Sequence, residues 1–255
     1  MDYMELLSVL SRWLHVAAGI LWIGLLYWFN FVNIPFAGTM DGDTKKKVVP
    51  ELFPRALYFF RWGAAYTWLT GLILAALVFY HGGLMFDQGV EGWGVGSYVM
   101  VAITFLVFPG YDMLAKSFGK DIRVFGAIAF VLVAVMVYLM VTFGHFSYRA
   151  YVIHTGMMFG TLMAANVWMR IWPAQKKIIG AIKEGTAPDG TLAATAMQRS
   201  RHNTYMSVPL LWAMINYHTT TTVAVESWYY LLVVTAIGWI VVSLMYDKSA
   251  KVKGF

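Results

Sequence analysis

Six histidines and no cysteine define the chemistry open to this chain of 255 residues. Without cysteine there are no disulfides, thiolate metal sites, iron-sulfur clusters or covalently attached c-type heme. Histidine and methionine remain as soft ligands. Along one apolar stretch His15, Gly19 and Trp22 stand at i, i+4 and i+7. They share a helix face on which the glycine leaves room for a flat ring and the tryptophan can wall it. In a second stretch His154 is followed on its face by Met158 and Thr161, with Gly156 and Gly160 allowing close approach. Ionisable groups inside apolar helices are costly and mark function. The chemistry they suggest is heme b, whose iron takes one or two neutral imidazoles and whose ring needs an apolar slot between helices. His15 and His154 are the leading candidate ligands of a heme iron, and His145 and His218 are the reserves. Arg12 and Arg149 stand three residues before His15 and five before His154, where heme propionates would want partners. Copper is the competing metal, since 16 methionines with histidines suit Cu(I). The methionines show no Met-x-Met spacing, however, and read as packing. His81, before Gly82 and Gly83, reads as a helix-end residue, and Asn166 and Asn216 as interhelical hydrogen-bonding groups.

The elements that must position these residues are legible in the charge pattern. The chain is 60% hydrophobic and 13% charged, about half the charge a soluble domain needs to cover its surface. It therefore reads as a polytopic membrane protein. Intervals free of charge, each near the 20 apolar residues that a membrane helix needs, give an all-α bundle of about seven transmembrane helices. The spans fall near 8–34, 57–80, 95–113, 124–145, 150–172, 204–218 and 227–246 in a single integral membrane domain covering 1–255. The sixth is the weakest, because Pro209 and the polar run Thr219 to Thr222 point to a broken or half-inserted helix. Assigning alternate loops to one side gathers 17 of the 19 basic residues there and leaves Arg12 and Arg149 on the other. The positive-inside bias then puts the N-terminus outside and the C-terminus in the cytoplasm. The loop 173–201 is cytoplasmic and includes a short interfacial helix. The formal charge of +6 is thus topological, and no nucleic-acid partner is expected. No cleavable signal peptide is visible. The expected location is a bacterial inner membrane. Five of the six histidines fall on the outer side, and only His202 belongs to the cytoplasmic one.

Three segments carry a family resemblance. Arg12 to Gly24 (RWLHVAAGILWIG), His154 to Gln175 with its Gly160-Thr161-Leu162-Met163-Ala164-Ala165-Asn166 core, and Arg199-Ser200-Arg201-His202-Asn203-Thr204-Tyr205 followed by Pro209, Met214 and His218 resemble the membrane domain of bacterial urate hydroxylases, the urate oxidase N-terminal domain. The resemblance implies an integral membrane oxidoreductase that oxidises urate and passes electrons to cytochrome c. It also makes His202 and Asn203 candidate substrate contacts on the cytoplasmic side. The chain departs from the family in having no Cys-x-x-Cys-His and no C-terminal cytochrome c domain, so either a separate cytochrome accepts the electrons or the chain is a shortened relative with another job.

Two functional classes remain at this stage. One is a heme-dependent membrane oxidoreductase of the urate hydroxylase type, and the other a non-catalytic membrane subunit, with or without heme b, of a respiratory or other electron-transfer complex. A transporter is less favoured, because no matched pair of broken helices is present. An acidic outer face, with Asp2, Glu5, Asp87, Glu91 and Glu226 against two arginines, suits docking of a basic cytochrome or of a partner subunit. No Gly-x-Gly-x-x-Gly follows a strand pattern, so no nicotinamide site competes.

Overall fold

The apolar runs fold as helices, and no strand occurs among the described residues, which in this computed structural model are 3–90, 92–218 and 227–252. In chain order they are α1 (Tyr3–Thr39), α2 (Gly42–Tyr80), α3 (Val95–Leu106), α4 (Phe108–Phe118), α5 (Ile122–Thr142), α6 (Tyr148–Asn166), α7 (Trp172–Lys183), α8 (Gly190–Asn216) and α9 (Tyr230–Ser249). Asp2, Glu91, Thr219 to Thr222, Glu226 and Lys253 lie outside the described residues. Helices α1, α2, α5 and α9 are each long and apolar enough to cross a membrane, and the bent pair α3–α4 makes a fifth candidate. The chain is thus an all-helical, multi-pass membrane protein, the architecture that satisfies backbone polar groups within each span.

Helix α6 is less apolar than its neighbours because protein, not lipid, surrounds it. Nearly every residue from Tyr148 to Asn166 is buried, so Thr155, Thr161, His154 and Asn166 find partners within the bundle. The other helices pack around this axis. Helices α1 and α2 form an antiparallel pair in which His15 meets Thr70 and Gly71, Gly19 meets Thr67, and Trp22 meets Gly63. Helix α2 runs along α6 through Arg61 and Trp168, Trp68 and Thr161, and Tyr80 and His154. Helix α8 lies on the other side of α6. At Gly156 an added Cβ would sit 3.1 Å from the Ala213 side chain, so glycine is what lets these two backbones approach. Helix α9 completes this wall, antiparallel to α8 through Arg201 and Tyr246, Tyr205 and Ser243, and Pro209 and Gly238.

Several expectations change. The third span is not one straight helix over 95–113. It bends by 52° at Val107 and continues to Phe118, because Pro109 in the first turn of α4 cannot donate to the preceding turn. The sixth is unbroken over its described length: α8 runs through Pro209 to Asn216, and Gly238 on α9 makes room for the proline ring, which approaches its Cβ position to 3.0 Å. The stretch 173–201 is mostly helix, not loop. It comprises α7 and the first turns of α8, which Asp189 caps by accepting from the Thr191 N–H. At the start of α2 Asp41 caps in the same way, and its bonds from the backbone N–H and hydroxyl of Thr44 hold its carboxyl below the usual range.

Among the described residues three π-helical segments, Trp28–Asn33, Ala75–Tyr80 and Val167–Ile171, interrupt or extend α1, α2 and α6. Each widened turn re-aims the side chains around it. The first carries Asn30 to Ser200 and Tyr246, the second carries Tyr80 to His154, and the third turns Arg170 onto Asp112.

Candidate functional site: a buried polar cluster beside an apolar cavity

The bend at Val107 delivers Tyr111 and Asp112 to the meeting point of α6 and α8. There Asn166 and Arg170 arrive from α6 and the π-helical segment after it. Arg199, His202 and Asn203 share one face of α8 at i, i+3 and i+4. Asn166, Arg199, His202 and Asn203 are all buried, with at most 3% of their surface exposed. Asp112 is the anion of the group. Arg170 donates to it from Nε at 2.8 Å and from Nη2 at 2.5 Å, Arg199 donates from Nη2 at 2.9 Å, and Lys116 Nζ lies at 2.8 Å. Three cations against one carboxylate leave an excess of positive charge beside the buried Arg199, whose guanidinium also lies 5.2 Å from the Tyr111 ring centroid.

The hydrogen bonds around His202 fix its tautomer. The Met163 carbonyl can only accept, so the group that Asn203 presents to it at 3.0 Å is its NH2. The Asn203 Oδ1 is then an acceptor, and Asn166 Nδ2 donates to it at 2.8 Å and to the Tyr111 oxygen at 2.8 Å. The Tyr111 hydroxyl, having accepted there, donates to His202 Nδ1 at 2.9 Å. A neutral imidazole that accepts at Nδ1 carries its proton on Nε2. His202 Nε2 is buried and has no partner, and the same holds for Arg199 Nε and Nη1 and for Asn166 Oδ1. Phe125 stacks on the His202 ring at 4.1 Å, with 7° between planes.

His202 and Tyr111 also line a cavity of about 1360 Å³ between α4, α5, α8 and α9, whose walls include Phe125, Phe130, Tyr205 and Trp239. The cluster therefore meets a large apolar space at these two residues. Of the two candidates on α8, His202 has a polar atom without a partner. Asn203 has both ends of its amide engaged and is a positioning residue for Asn166 and, through it, for His202.

The candidates expected on the outer side are dispersed. His15 is half-buried on the α1–α2 seam, with Nδ1 3.1 Å from the Thr70 hydroxyl. Trp22 is buried two turns along the same seam against Gly63. His154 is fully buried on α6: Nδ1 lies 2.7 Å from the Ala150 carbonyl and so donates to it, and Nε2 accepts from Tyr80 at 3.1 Å. Phe79, Tyr80 and Phe146 enclose its ring. His145 is exposed with φ of +55°. His218 is exposed, stacks on Tyr217 at 3.7 Å, and lies within electrostatic reach of Arg12 and Arg149. The two arginines and His218 thus come together, whereas His15 and His154 sit on different seams. A heme b held between those two would need facing imidazoles with free nitrogens and a flat slot. Tyr80 occupies Nε2 of His154, aromatic rings fill the space around it, and His15 stands on another seam, so the residues as arranged do not fit that group. Among the described residues no group of three or more His, Asp or Glu side chains could hold a metal ion.

Sequence reasoning missed Tyr111, Asp112, Arg170 and Arg199. An Asp in an otherwise apolar span, three residues past a proline, was the available signal for the first two.

The fold and this cluster together define a membrane-embedded helical protein with a buried, cationic polar site. Its family follows from the sequence match: residues 35–254 fit the model described as urate oxidase N-terminal, and the chain belongs to that family. The matched region contains the segments around His154 and Arg199–His202 and excludes the one around His15. No curated protein and no solved structure matches the chain.

Proposed function

We propose that the chain is the membrane-embedded part of a urate hydroxylase-type oxidoreductase of a bacterial inner membrane, with seven spans, the N-terminus outside and the basic end of the bundle in the cytoplasm. The substrate is a small planar anion of the urate class. The observation that carries this reading is the cluster itself: Arg199 with two buried N–H groups lacking partners, beside His202 Nε2–H and the Asn166 carbonyl oxygen. Urate is anionic at neutral pH and carries both carbonyl and N–H edges. It would supply the charge that Asp112 alone does not, and the acceptors and donors that these atoms lack.

In this reading Arg199 anchors the anion, Asn166 accepts from a ring N–H, and Asp112 with Arg170 holds the Arg199 guanidinium in place. Tyr111 and Asn203 set the His202 tautomer. Hydroxylation adds the oxygen of water to the ring and releases two electrons and two protons, and cytochrome c at the outer face is the final acceptor. A b-type heme is the carrier that the histidine pattern suggests, but no step is assigned to it, since His15 and His154 do not fit as its ligand pair. Absorption spectra of the purified protein, oxidised and dithionite-reduced, test for it. A Soret band lost in His154→Ala would restore the ligand role.

The function is tested with purified protein, urate and oxidised cytochrome c, following urate loss and cytochrome reduction together. Wild-type turnover that falls at least a hundredfold in Arg199→Gln is the expected result, given about 3 kcal/mol for a buried charge-assisted contact. A wild-type protein that neither binds nor oxidises urate refutes the reading.

A further inference from the structure

The cavity between α4, α5, α8 and α9 is charged at one end and mainly apolar along the rest of its length. Its charged lining residues are Arg123, Arg201 and Asp247. Arg123 stands two residues before Phe125, which stacks on His202, and Arg201 is the chain neighbour of His202. The Arg201 guanidinium lies 5.0 Å from the centroid of the Tyr246 ring, and Asp247 follows Tyr246. The three charges therefore meet at one level, where α5 begins and α9 ends. All three residues are exposed, and none has an ion pair or a side-chain hydrogen bond among the described residues. From Arg123 the α5 wall runs 13 residues to Met136, about 20 Å at 1.5 Å of rise per residue. That is the depth of one leaflet, about 15 Å of hydrocarbon and roughly 5 Å of headgroup. Val131, Leu132, Ile240 and Leu244 line the cavity and are also exposed on the outside of the bundle, where they face lipid in a membrane. At Gly126, also on this wall, an added Cβ would meet nothing within 4 Å, so an open slot lies against α5. An apolar slot open sideways to the bilayer fills with acyl chains, because water there would lack hydrogen-bond partners.

We infer that the slot holds one phospholipid with a primary-ammonium headgroup, of the phosphatidylethanolamine type, drawn from the leaflet at this end of the bundle. The phosphate lies between Arg123 and Arg201, the ammonium donates to Asp247, and an acyl chain runs along the apolar walls toward Met136 and Ala236. Each charge on the rim then has its opposite. The volume of about 1360 Å³ is on the scale of a lipid and far larger than a single small heterocycle. Phosphatidylglycerol or a fatty acid would satisfy the arginines but set an anion beside Asp247 with no cation for it. A choline headgroup carries the positive charge but has no N–H to donate. An uncharged apolar molecule would leave all three charges unanswered. The contact with Tyr246 holds the Arg201 guanidinium in place before the lipid arrives, which lowers the cost of ordering it on binding. The site involves neither urate nor an electron carrier and does not rest on the oxidoreductase reading.

The test is saturation binding of radiolabelled dioleoyl phosphatidylethanolamine to the delipidated full chain in mild detergent, with folding checked by circular dichroism. Saturable binding of one lipid per chain is expected. Unlabelled phosphatidylethanolamine should displace it about fivefold better than phosphatidylglycerol or phosphatidylcholine with the same chains. Water reaches the rim, so Arg123→Gln and Arg201→Gln should each raise the Kd only about fivefold. Asp247→Asn should raise it about fivefold and abolish the preference over phosphatidylglycerol. Gly126→Trp places an indole in the slot without a clash at Cβ, and saturable binding should be lost. Lys45→Gln, which removes an exposed cation of α2 away from the cavity, should bind as wild type. Uptake that only tracks detergent concentration, equal displacement by all three lipids, or wild-type affinity in Asp247→Asn overturns the proposal. So does displacement by glycerophosphoethanolamine as strong as by the intact lipid, which would make the site one for a soluble phosphate ester. A particle of two chains by light scattering that binds no lipid and dissociates in Gly126→Trp would give the slot to a second copy instead. If Gly126→Trp fails to fold, the headgroup competition on the wild-type chain and Asp247→Asn still decide it.

Discussion

Replacing Asp112 by asparagine isolates the electrostatics of the cluster. The substitution preserves size and removes the charge that faces Arg170, Arg199 and Lys116. Lys116 and Arg170 are 63% and 34% exposed, so water takes over much of what they lose, and each contributes at most about 1 kcal/mol. Arg199 is 1% exposed and has no such recourse. It would keep its charge in the interior while one of the two new amide hydrogens pointed at a cation. Breaking a buried pair by removing one partner costs about 3 kcal/mol or more, which for a chain of this size lowers Tm by roughly 6 to 12 °C. Thermal unfolding followed by circular dichroism in detergent measures it. The double variant Asp112→Leu with Arg199→Met should recover most of the loss, because an apolar pair of similar volume leaves no unpaired charge. A loss below about 1 kcal/mol in Asp112→Asn, or a double variant less stable than Asp112→Asn, would refute the account of Arg199 as a buried charge held by this carboxylate.

Other outcomes follow from the same geometry. Gly156→Val should cost about 1 to 3 kcal/mol, since the new Cβ meets Ala213 and Met214 at 3.1 and 3.2 Å and α8 must shift; unchanged thermal stability would show that the α6–α8 contact is looser than described. Tyr80→Phe should cost about 1 to 3 kcal/mol by leaving His154 Nε2 buried without a partner, and a neutral effect would mean that water or another group reaches that nitrogen. Urate at a hundred times its Kd should raise wild-type stability by about 2.7 kcal/mol and leave Arg199→Gln where it was; an equal shift in both would remove Arg199 from the binding site. Reporter fusions after Lys120 and Lys183 should both report cytoplasm, and an external signal at either reverses the orientation.

Fold class was readable because charge is costly in hydrocarbon and the charged residues therefore punctuate the chain. The same reasoning does not show where protein replaces lipid as the solvent. Helix α6 is enclosed on all sides, so it tolerates His154, Thr155 and Asn166 and gives a weak hydropathy signal despite its central place. Pro209 read as a break because composition cannot show that Gly238, 29 residues later, removes the clash on a neighbouring helix. Pro109 did produce a bend, of 52° between α3 and α4. A proline in a membrane helix is thus ambiguous in sequence, and its outcome is decided by the residue that faces it.

The site was harder to read, because its bonds join residues far apart in the chain. Tyr111 and His202 are 91 residues apart, Asp112 and Arg199 are 87, and Asn166 and Asn203 are 37. Local spacing could single out His15 and His154 as imidazoles on apolar faces, but not show that Thr70 and Tyr80 already bond them. It could single out His202 and Asn203 through their motif, but not divide their roles. That division comes from a backbone carbonyl: Met163 orients Asn203, Asn203 orients Asn166, Asn166 orients the Tyr111 hydroxyl, and the hydroxyl places the His202 proton on Nε2. Each link is an ordinary hydrogen bond, yet together they determine which ring nitrogen of His202 carries the proton. Asn203→Asp would break the chain at its first step, because a carboxylate cannot donate to the Met163 carbonyl, and the loss would appear at His202 although the substituted side chain never touches it.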